Sequence, residues 1–571
     1  MLNNSSLWIV LQRMRLPFTI ITITYAIAMT GLLIIPGIDN QGNPYHLTIF
    51  ESFYFITYTA TTIGFGELPY SFTHAQKIWV SMSIYLTVLG WFYGIGALVT
   101  LLQDKLFLSE IALARFKKSV KNIKEDFVIV LGYNEITSAI IQKLLESNMR
   151  VVLIERDSKR ADDLNLEGFV PHVPVLTRDI HNTTSLEFAG IHSKYCKGII
   201  SLLDSGILNL RVTLASKILN PQIRIAVKSS TDTETGNLYD AGADIVENPF
   251  DIISKQIQMA LIAPSLYKLD NWLYNIKTLD AKTFSIPNEK IIICGYGRFG
   301  KTVHEMFVRN SIFPTIIESN EEITRQANKD GITNLILGNA EDKSCLDKAN
   351  INDTNLIIIG TNNDTTNLSI AFTVKRMNSK TLIISRENEL LDFSIFSHAK
   401  IDQIFLPDKI LIHKTTNAII NPLCDIMIKL ISKKNELWGK HLLTTLLKTI
   451  DSKPITFELT INKYETIEIY KYLKNTNNKI AINTITASRR DRSMSNNILV
   501  LLVVRDKENI LMPSLEFELK LNDKILFACD KNAKVDLEYI ANNIYEFHYI
   551  ITGEEKRYFK KFINFTKKEK K

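Results

Sequence analysis

Two long stretches of this chain lack charge altogether. Residues 16–38, between Arg15 and Asp39, and residues 78–103, between Lys77 and Asp104, contain no Asp, Glu, Lys or Arg. A helix needs roughly 20 apolar residues to cross about 30 Å of hydrocarbon, so each stretch is long enough to span a bilayer. One such stretch fits the buried helix of a soluble protein; two fit a membrane protein better. The first follows Arg13 and Arg15 and has no convincing small-residue cleavage site, so it reads as a retained signal anchor. Positive charge is missing between Arg15 and Lys77, where the only formal charges are Asp39, Glu51 and Glu67, whereas Lys105, Arg115, Lys117, Lys118, Lys121 and Lys124 follow the second stretch. Basic flanks stay cytoplasmic, so both termini are expected inside a cell (inner) membrane that the chain crosses more than once.

Cysteine is also scarce. The five present all follow the second stretch, which suits a reducing compartment and excludes a disulfide framework. With 22% charged and 46% hydrophobic residues and a net charge of +7, the chain is neither a disordered polyelectrolyte nor a polycation built for nucleic acid. At 571 residues it exceeds one hydrophobic core and should fold as three or four units.

Between the spans, the aromatic run Ile49–Thr61 is too short to cross a bilayer and can only dip in and return. It leads into Thr62-Ile63-Gly64-Phe65-Gly66-Glu67. This segment resembles the selectivity filter of potassium channels. The resemblance implies that four subunits each supply one strand, with the carbonyls of Thr62, Ile63, Gly64 and Phe65 and the Thr62 hydroxyl replacing the hydration shell of K+. Gly64 and Gly66 would allow the required backbone angles, while Ile63 and Phe65 would pack outward. Phe65 stands where a Tyr is frequent, which removes a hydroxyl able to brace the loop. The second span would line the pore, with Gly90 as gating hinge. Gly94 and Gly96 equally suit close packing against the first span. No span carries repeated arginines, so no voltage sensor is expected.

After a basic connector, residues 104–125, apolar runs alternate with amphipathic stretches, the pattern of βαβ units on a parallel sheet. The pattern then repeats. Gly132 and Gly295, Glu155 and Glu318, and Asp179 and Asp342 all lie 163 positions apart, so two whole domains share one fold. Each copy closes with a helix, a proline and a second helix, around Pro264 and Pro422, which predicts an apolar arm able to reach a partner domain. The arrangement resembles tandem RCK (regulator of potassium conductance, Trk-N type) domains of prokaryotic two-span potassium channels. The expected organisation is a helical pore domain over residues 1–103 with a re-entrant pore helix, then the linker. Two α/β Rossmann-like domains follow at 126–285 and 286–430, then a small α+β lobe at 431–550 and a basic tail at 551–571. Within the lobe, residues 471–497 are polar and read as a long hairpin or mobile loop.

The second copy holds Gly295-Tyr296-Gly297-Arg298-Phe299-Gly300 directly after a predicted strand, with Glu318 eighteen residues beyond Gly300. Glycines there permit a tight turn and close approach of a pyrophosphate to a helix N-terminus, and the acid suits ribose hydroxyls. Arg298 and Arg386 supply charge for phosphates in this reading. The acid also favours NAD or an adenine nucleotide over NADP, whose extra phosphate it would repel. In the first copy Asn134 and Thr137 replace the second and third glycines and would obstruct a dinucleotide. Val227-Lys228-Ser229 lacks the acids that calcium-gated relatives carry on the matching strand.

The sequence thus reads as a homotetrameric, potassium-selective channel in a lipid bilayer, not an enzyme, gated by a small-molecule nucleotide in the second RCK domain. The competing reading, a membrane-anchored NAD-dependent oxidoreductase, explains the glycine loop but leaves residues 62–66 without a role.

Overall fold

The computed structural model describes residues 4–556 apart from 68, 181, 390–392, 452, 476 and 507. Of the basic tail expected at 551–571, residues 557–571 therefore lie outside the described residues. The chain divides into two compact units, residues 1–123 and 124–571.

In the first unit the uncharged stretches form helices α1 (Asn4–Ile34) and α3 (His74–Gln103). Over Gln12–Ile34 and His74–Gln103 both are long and apolar enough to cross a membrane, and only 22% of each most apolar window is buried. Small residues bring the two helices together. A Cβ on Gly31 would fall 1.9 Å from the Trp79 indole, whose Nε1 donates to the Ala28 carbonyl at 3.0 Å. A short hairpin, β1 (Gly37–Ile38) with β2 (Pro44–Tyr45), precedes α2 (Ile49–Ala60).

Helix α2 begins in a capping box: Thr48 N donates to Glu51 Oε2 at 2.8 Å and Glu51 N to Thr48 Oγ1 at 3.2 Å. Its 12 residues reach only about 18 Å. Phe55, Ile56 and Tyr58 bury its inner face against Ala28, Leu32 and Phe72. Helix α3 ends at Asp104, which in turn caps α4 (Lys105–Asn122) by accepting from Phe107 N at 3.0 Å.

The second unit holds two parallel sheets of six strands. The first comprises β3 (Phe127–Leu131), β4 (Arg150–Glu155), β5 (Val175–Thr177), β6 (Cys196–Ser201), β7 (Arg224–Lys228) and β8 (Ile245–Glu247), in the order β5-β4-β3-β6-β7-β8. The second comprises β9 (Ile291–Cys294), β10 (Thr315–Glu318), β11 (Leu335–Leu337), β12 (Leu356–Ile359), β13 (Leu382–Arg386) and β14 (Gln403–Phe405), in the matching order β11-β10-β9-β12-β13-β14. Strands β3 and β9 are buried along their whole length, as central parallel strands covered on both faces must be. The order reverses beside β3 and β9, which opens a crevice at their C-terminal ends.

The two domains exchange helices. Helix Pro249–Ile262, after β8, places Ile252, Ile253, Ile257 and Ala260 in the core of the second domain with Ile293, Phe299 and Val303. Helix Pro407–Ile420, after β14, places Leu411, Ile412, Ala418 and Ile419 in the core of the first with Val130, Ile140 and Leu144. The predicted apolar arm is thus reciprocal. Each helix stops two residues before a proline, Pro264 or Pro422, whose ring cannot continue it.

The C-terminal lobe is an antiparallel sheet of β15 (Ile455–Thr460), β16 (Ile498–Arg505), β17 (Glu508–Leu511) and β18 (Lys524–Cys529), in the order β15-β18-β16-β17. Residues 471–497 meet the hairpin expectation only over 487–495, where Ala487 and Ser495 form an antiparallel bridge. Rather than a mobile loop, the segment includes a short helix, Ile482–Ile485, and buries Ile480, Ile482 and Ile485 in the lobe core. Three isoleucines among asparagines are too few for a periodic signal, yet enough to pin the segment down.

Candidate ion pathway and nucleotide crevice

The loop after α2 alternates in handedness. Thr62 has φ of +63°, Gly64 +68° and Gly66 +94°, with Ile63 and Phe65 on the negative side between them. Such alternation turns successive carbonyls to one side of the strand, the arrangement an ion needs if backbone oxygens are to replace its water. Glycine adopts these angles freely, whereas β-branched Thr62 does so under strain, a cost of order 1–3 kcal/mol that surrounding structure must offset. Within one chain, no atom lies within 4 Å of a Cβ built on Gly64 or Gly66, so conformation rather than crowding selects glycine there.

The end of α2 provides that support. Ile63 N and Gly64 N both donate to the Tyr58 carbonyl, at 2.8 and 3.2 Å, and Thr62 N donates to Thr59 O at 3.0 Å. Tyr58 Oη donates to the Gly66 carbonyl at 2.6 Å. The Tyr58 ring meets Phe65 edge-on at 5.4 Å, and Tyr54 stacks on Phe65 at 6.4 Å. The brace that Phe65 cannot make is therefore supplied from the helix. Sequence reasoning missed Tyr58, whose only signal was a tyrosine within an aromatic run. Glu67 closes the loop by accepting from Phe72 N at 2.8 Å and pairing with Lys77 at 3.4 Å.

Gly90 lies within unbroken α3. A Cβ on it would stand 2.9 Å from Thr24 Oγ1, and one on Gly94 2.7 Å from Ile21 Cδ1, while Gly96 meets nothing within 4 Å. Close packing against α1 is thus the visible role of Gly90 and Gly94.

In the second sheet Gly295 ends the β9 turn with φ of +91°, and Gly297 caps helix Arg298–Arg309. Gly300 packs so tightly that a Cβ would fall 2.0 Å from the Gly295 carbonyl oxygen. Glu318, buried at the end of β10, accepts from Tyr296 N at 2.6 Å and from Asn320 N at 2.8 Å, tying the glycine loop to the neighbouring strand. These residues border a crevice of about 400 Å³, with Gly295, Gly297, Glu318, Asn339, Thr361 and Asn363 on its walls. The structure thus brings Gly295, Gly297 and Glu318 together at one cavity, with Gly300 packed beneath the turn.

Arg298 and Arg386 do not line that crevice. Both guanidinium groups lie over the ring of Phe250, at 5.3 and 5.1 Å from its centroid. Burial, reinforced by the nearby Arg298, lowers the pKa of Arg386. Its remaining polar contact toward the crevice is Arg386 Nη1 to Asn362 Oδ1 at 3.4 Å.

The first sheet repeats the acid's role but not the opening. Glu155 accepts from Tyr133 N at 2.6 Å and Asp157 N at 2.8 Å, matching Glu318. At the positions of Gly297 and Gly300, Asn134 and Thr137 bond to each other: Thr137 N donates to Asn134 Oδ1 at 2.9 Å and Asn134 N to Thr137 Oγ1 at 2.8 Å. The loop closes on its own side chains.

The TrkA-N domain family matches residues 128–249 and 291–407. An uncharacterized protein of Methanothermus fervidus is 27% identical over 248 residues, which cover 43% of this chain and 38% of the relative. Potassium channel protein 1 of Methanocaldococcus jannaschii is 23% identical over 243 residues, covering 42% of this chain and 71% of the relative. Among solved structures, the GsuK channel bound to NAD aligns over 94% of this chain and 99% of its own, at 14% identity and a TM-score of 0.45. The chain carries two TrkA-N domains in tandem, one on each six-stranded parallel sheet.

Proposed function

We propose that this chain is one subunit of a homotetrameric, potassium-selective channel of the cell membrane, gated by NAD or an adenine nucleotide in its second TrkA-N domain. The observation that carries the reading is the alternating handedness of residues 62–66, held by Tyr58 between two membrane-length helices. Four such strands around an axis would present carbonyls of Thr62, Ile63, Gly64 and Phe65 as successive K+ sites. The relationship to a protein named as a potassium channel supports the same reading. An oxidoreductase has no use for a strained Thr62 at that place.

Nucleotide belongs to the second copy because Gly297 leaves open space where Asn134 closes the first. A carboxylate has about four lone-pair sites, so Glu318 can still accept from ribose hydroxyls while bonding Tyr296 and Asn320. Its charge disfavours a 2′-phosphate. Nucleotide shifts the gate only as far as it binds open and closed states unequally.

The test is recording from purified protein in planar bilayers under a potassium gradient, with NAD, ADP or ATP added to the face bearing the TrkA-N domains. A reversal potential near the potassium value, with open probability changed by one nucleotide and that response abolished in Glu318→Lys, is the expected result. Absence of selective current would overturn the channel, and unchanged sensitivity in Glu318→Lys would overturn the site.

A further inference from the structure

Phe250 stands at a junction that the crevice alone does not explain. It follows Asn248 and Pro249 in the first turn of helix Pro249–Ile262, the helix that the first TrkA-N domain lends to the second. Both arginines on its ring belong to the second domain. Arg298 directly follows Gly297, a wall of the crevice, and Arg386 ends β13 beside Asn362 on the same wall. Phe299, the neighbour of Arg298, packs its ring 6.5 Å from Phe250.

Two guanidinium groups on one ring repel each other, and Arg386 Nε is buried without a hydrogen-bond partner. A polyanion offers both arginines what the ring cannot. Cation–π attraction is weaker than charge-assisted bonds from guanidinium to phosphate oxygens, so phosphates at Gly297 would compete successfully for Arg298. Beside the ring, a cavity of about 640 Å³ is lined by Asn248 and Asp251 from the first domain's sequence and by Lys301 and Arg309 from the second's.

We propose that Phe250 is the residue that couples nucleotide occupancy to the angle between the two TrkA-N domains: its ring holds Arg298 and Arg386 on the interdomain face, and nucleotide phosphates draw them off it. The inference rests on nucleotide binding in the second crevice. By linkage, a contact that ligand must break weakens its affinity by the same factor with which the ligand loosens that contact.

The experiment compares Phe250→Leu and Phe250→Trp with the unaltered full-length protein, titrating ADP and NAD by calorimetry in detergent and recording open probability in bilayers. Leu keeps apolar bulk but removes the π face. Phe250→Leu is expected to bind nucleotide about 2- to 30-fold more tightly, the range set by one cation–π contact, while the nucleotide effect on open probability falls. Trp holds cations more strongly and is expected to weaken binding. Opposite shifts in the two variants cannot come from general disruption of the interface. Unchanged affinity in both, or a shift in the same direction, overturns the proposal. Absence of binding to the unaltered protein overturns instead the crevice reading on which it rests.

Discussion

Tyr58 Oη donates to the Gly66 carbonyl across 2.6 Å, and this bond fastens the far end of the loop 62–66 to the helix that precedes it. Because Phe65 has no hydroxyl, the loop depends on a donor from α2. The same residue also receives the Ile63 and Gly64 amides on its own carbonyl, so one tyrosine grips the loop at both ends.

Tyr58→Phe removes the donor and keeps the ring. A hydrogen bond of this kind contributes about 0.5–1.5 kcal/mol. On the proposed channel reading, the expected outcome is an assembly like that of the unaltered protein with reduced discrimination between K+ and Na+, read from reversal potentials under bi-ionic conditions. Wild-type selectivity in this variant would show that the bond does not support the filter.

Gly297 and Gly300 separate ligand binding from folding. Gly297→Ala adds a methyl where nothing lies within 4 Å, so the domain should fold while the methyl projects at the crevice and weakens nucleotide binding at least tenfold. Gly300→Ala drives a methyl into the Gly295 carbonyl oxygen, and overpacking of this kind typically costs about 1–3 kcal/mol. Thermal melts and calorimetry on both variants distinguish the two effects.

Arg13 Nη1 pairs with Asp104 Oδ2 at 2.5 Å, joining the start of α1 to the break between α3 and α4, beside a cluster of Met14, Leu101 and Phe107. If α3 lines the pore and α4 transmits force to it, the pair holds that junction. Arg13→Asp and Asp104→Arg should each shift the nucleotide dependence of open probability, and the double exchange should return it toward the original. Three superimposable curves would exclude a role for the pair.

Glu458 gives a pH dependence whose sign follows from its site. Burial raises its pKa to about 7, although Leu423 N and Cys424 N donate to Oε1 at 2.8 and 3.2 Å at the start of helix Pro422–Ile431. The folded state therefore keeps the proton while the unfolded chain, near 4.5, loses it. Stability of the lobe is fully present below about 4.5 and falls as pH rises to about 7, by on the order of 3 kcal/mol. Glu458→Gln keeps the acceptor oxygen and should flatten the dependence of the melting temperature between pH 5 and pH 8.

What could be read in advance were properties carried by short, regular patterns. The uncharged stretches, the repeat at 163 positions and the glycines at 64, 66 and 295 are local demands of solvent and backbone, and the chain meets them in any arrangement of its domains. Glu318 was legible for the same reason, since a strand end after a glycine loop brings it beside that loop wherever the rest of the chain goes.

Side-chain direction and long-range packing were not legible. Sequence alone determined two membrane-length helices, a filter-like loop and two βαβ domains, because periodicity and conformational preference act within a few residues. Only the tertiary structure decided that Tyr58 replaces the hydroxyl absent from Phe65, that Gly90 packs on Thr24, and that the domains trade helices. It likewise turned Arg298 and Arg386 toward Phe250 instead of the crevice beside them. A long side chain settles where distant segments provide burial and charge, and no spacing in the sequence states where those segments will be.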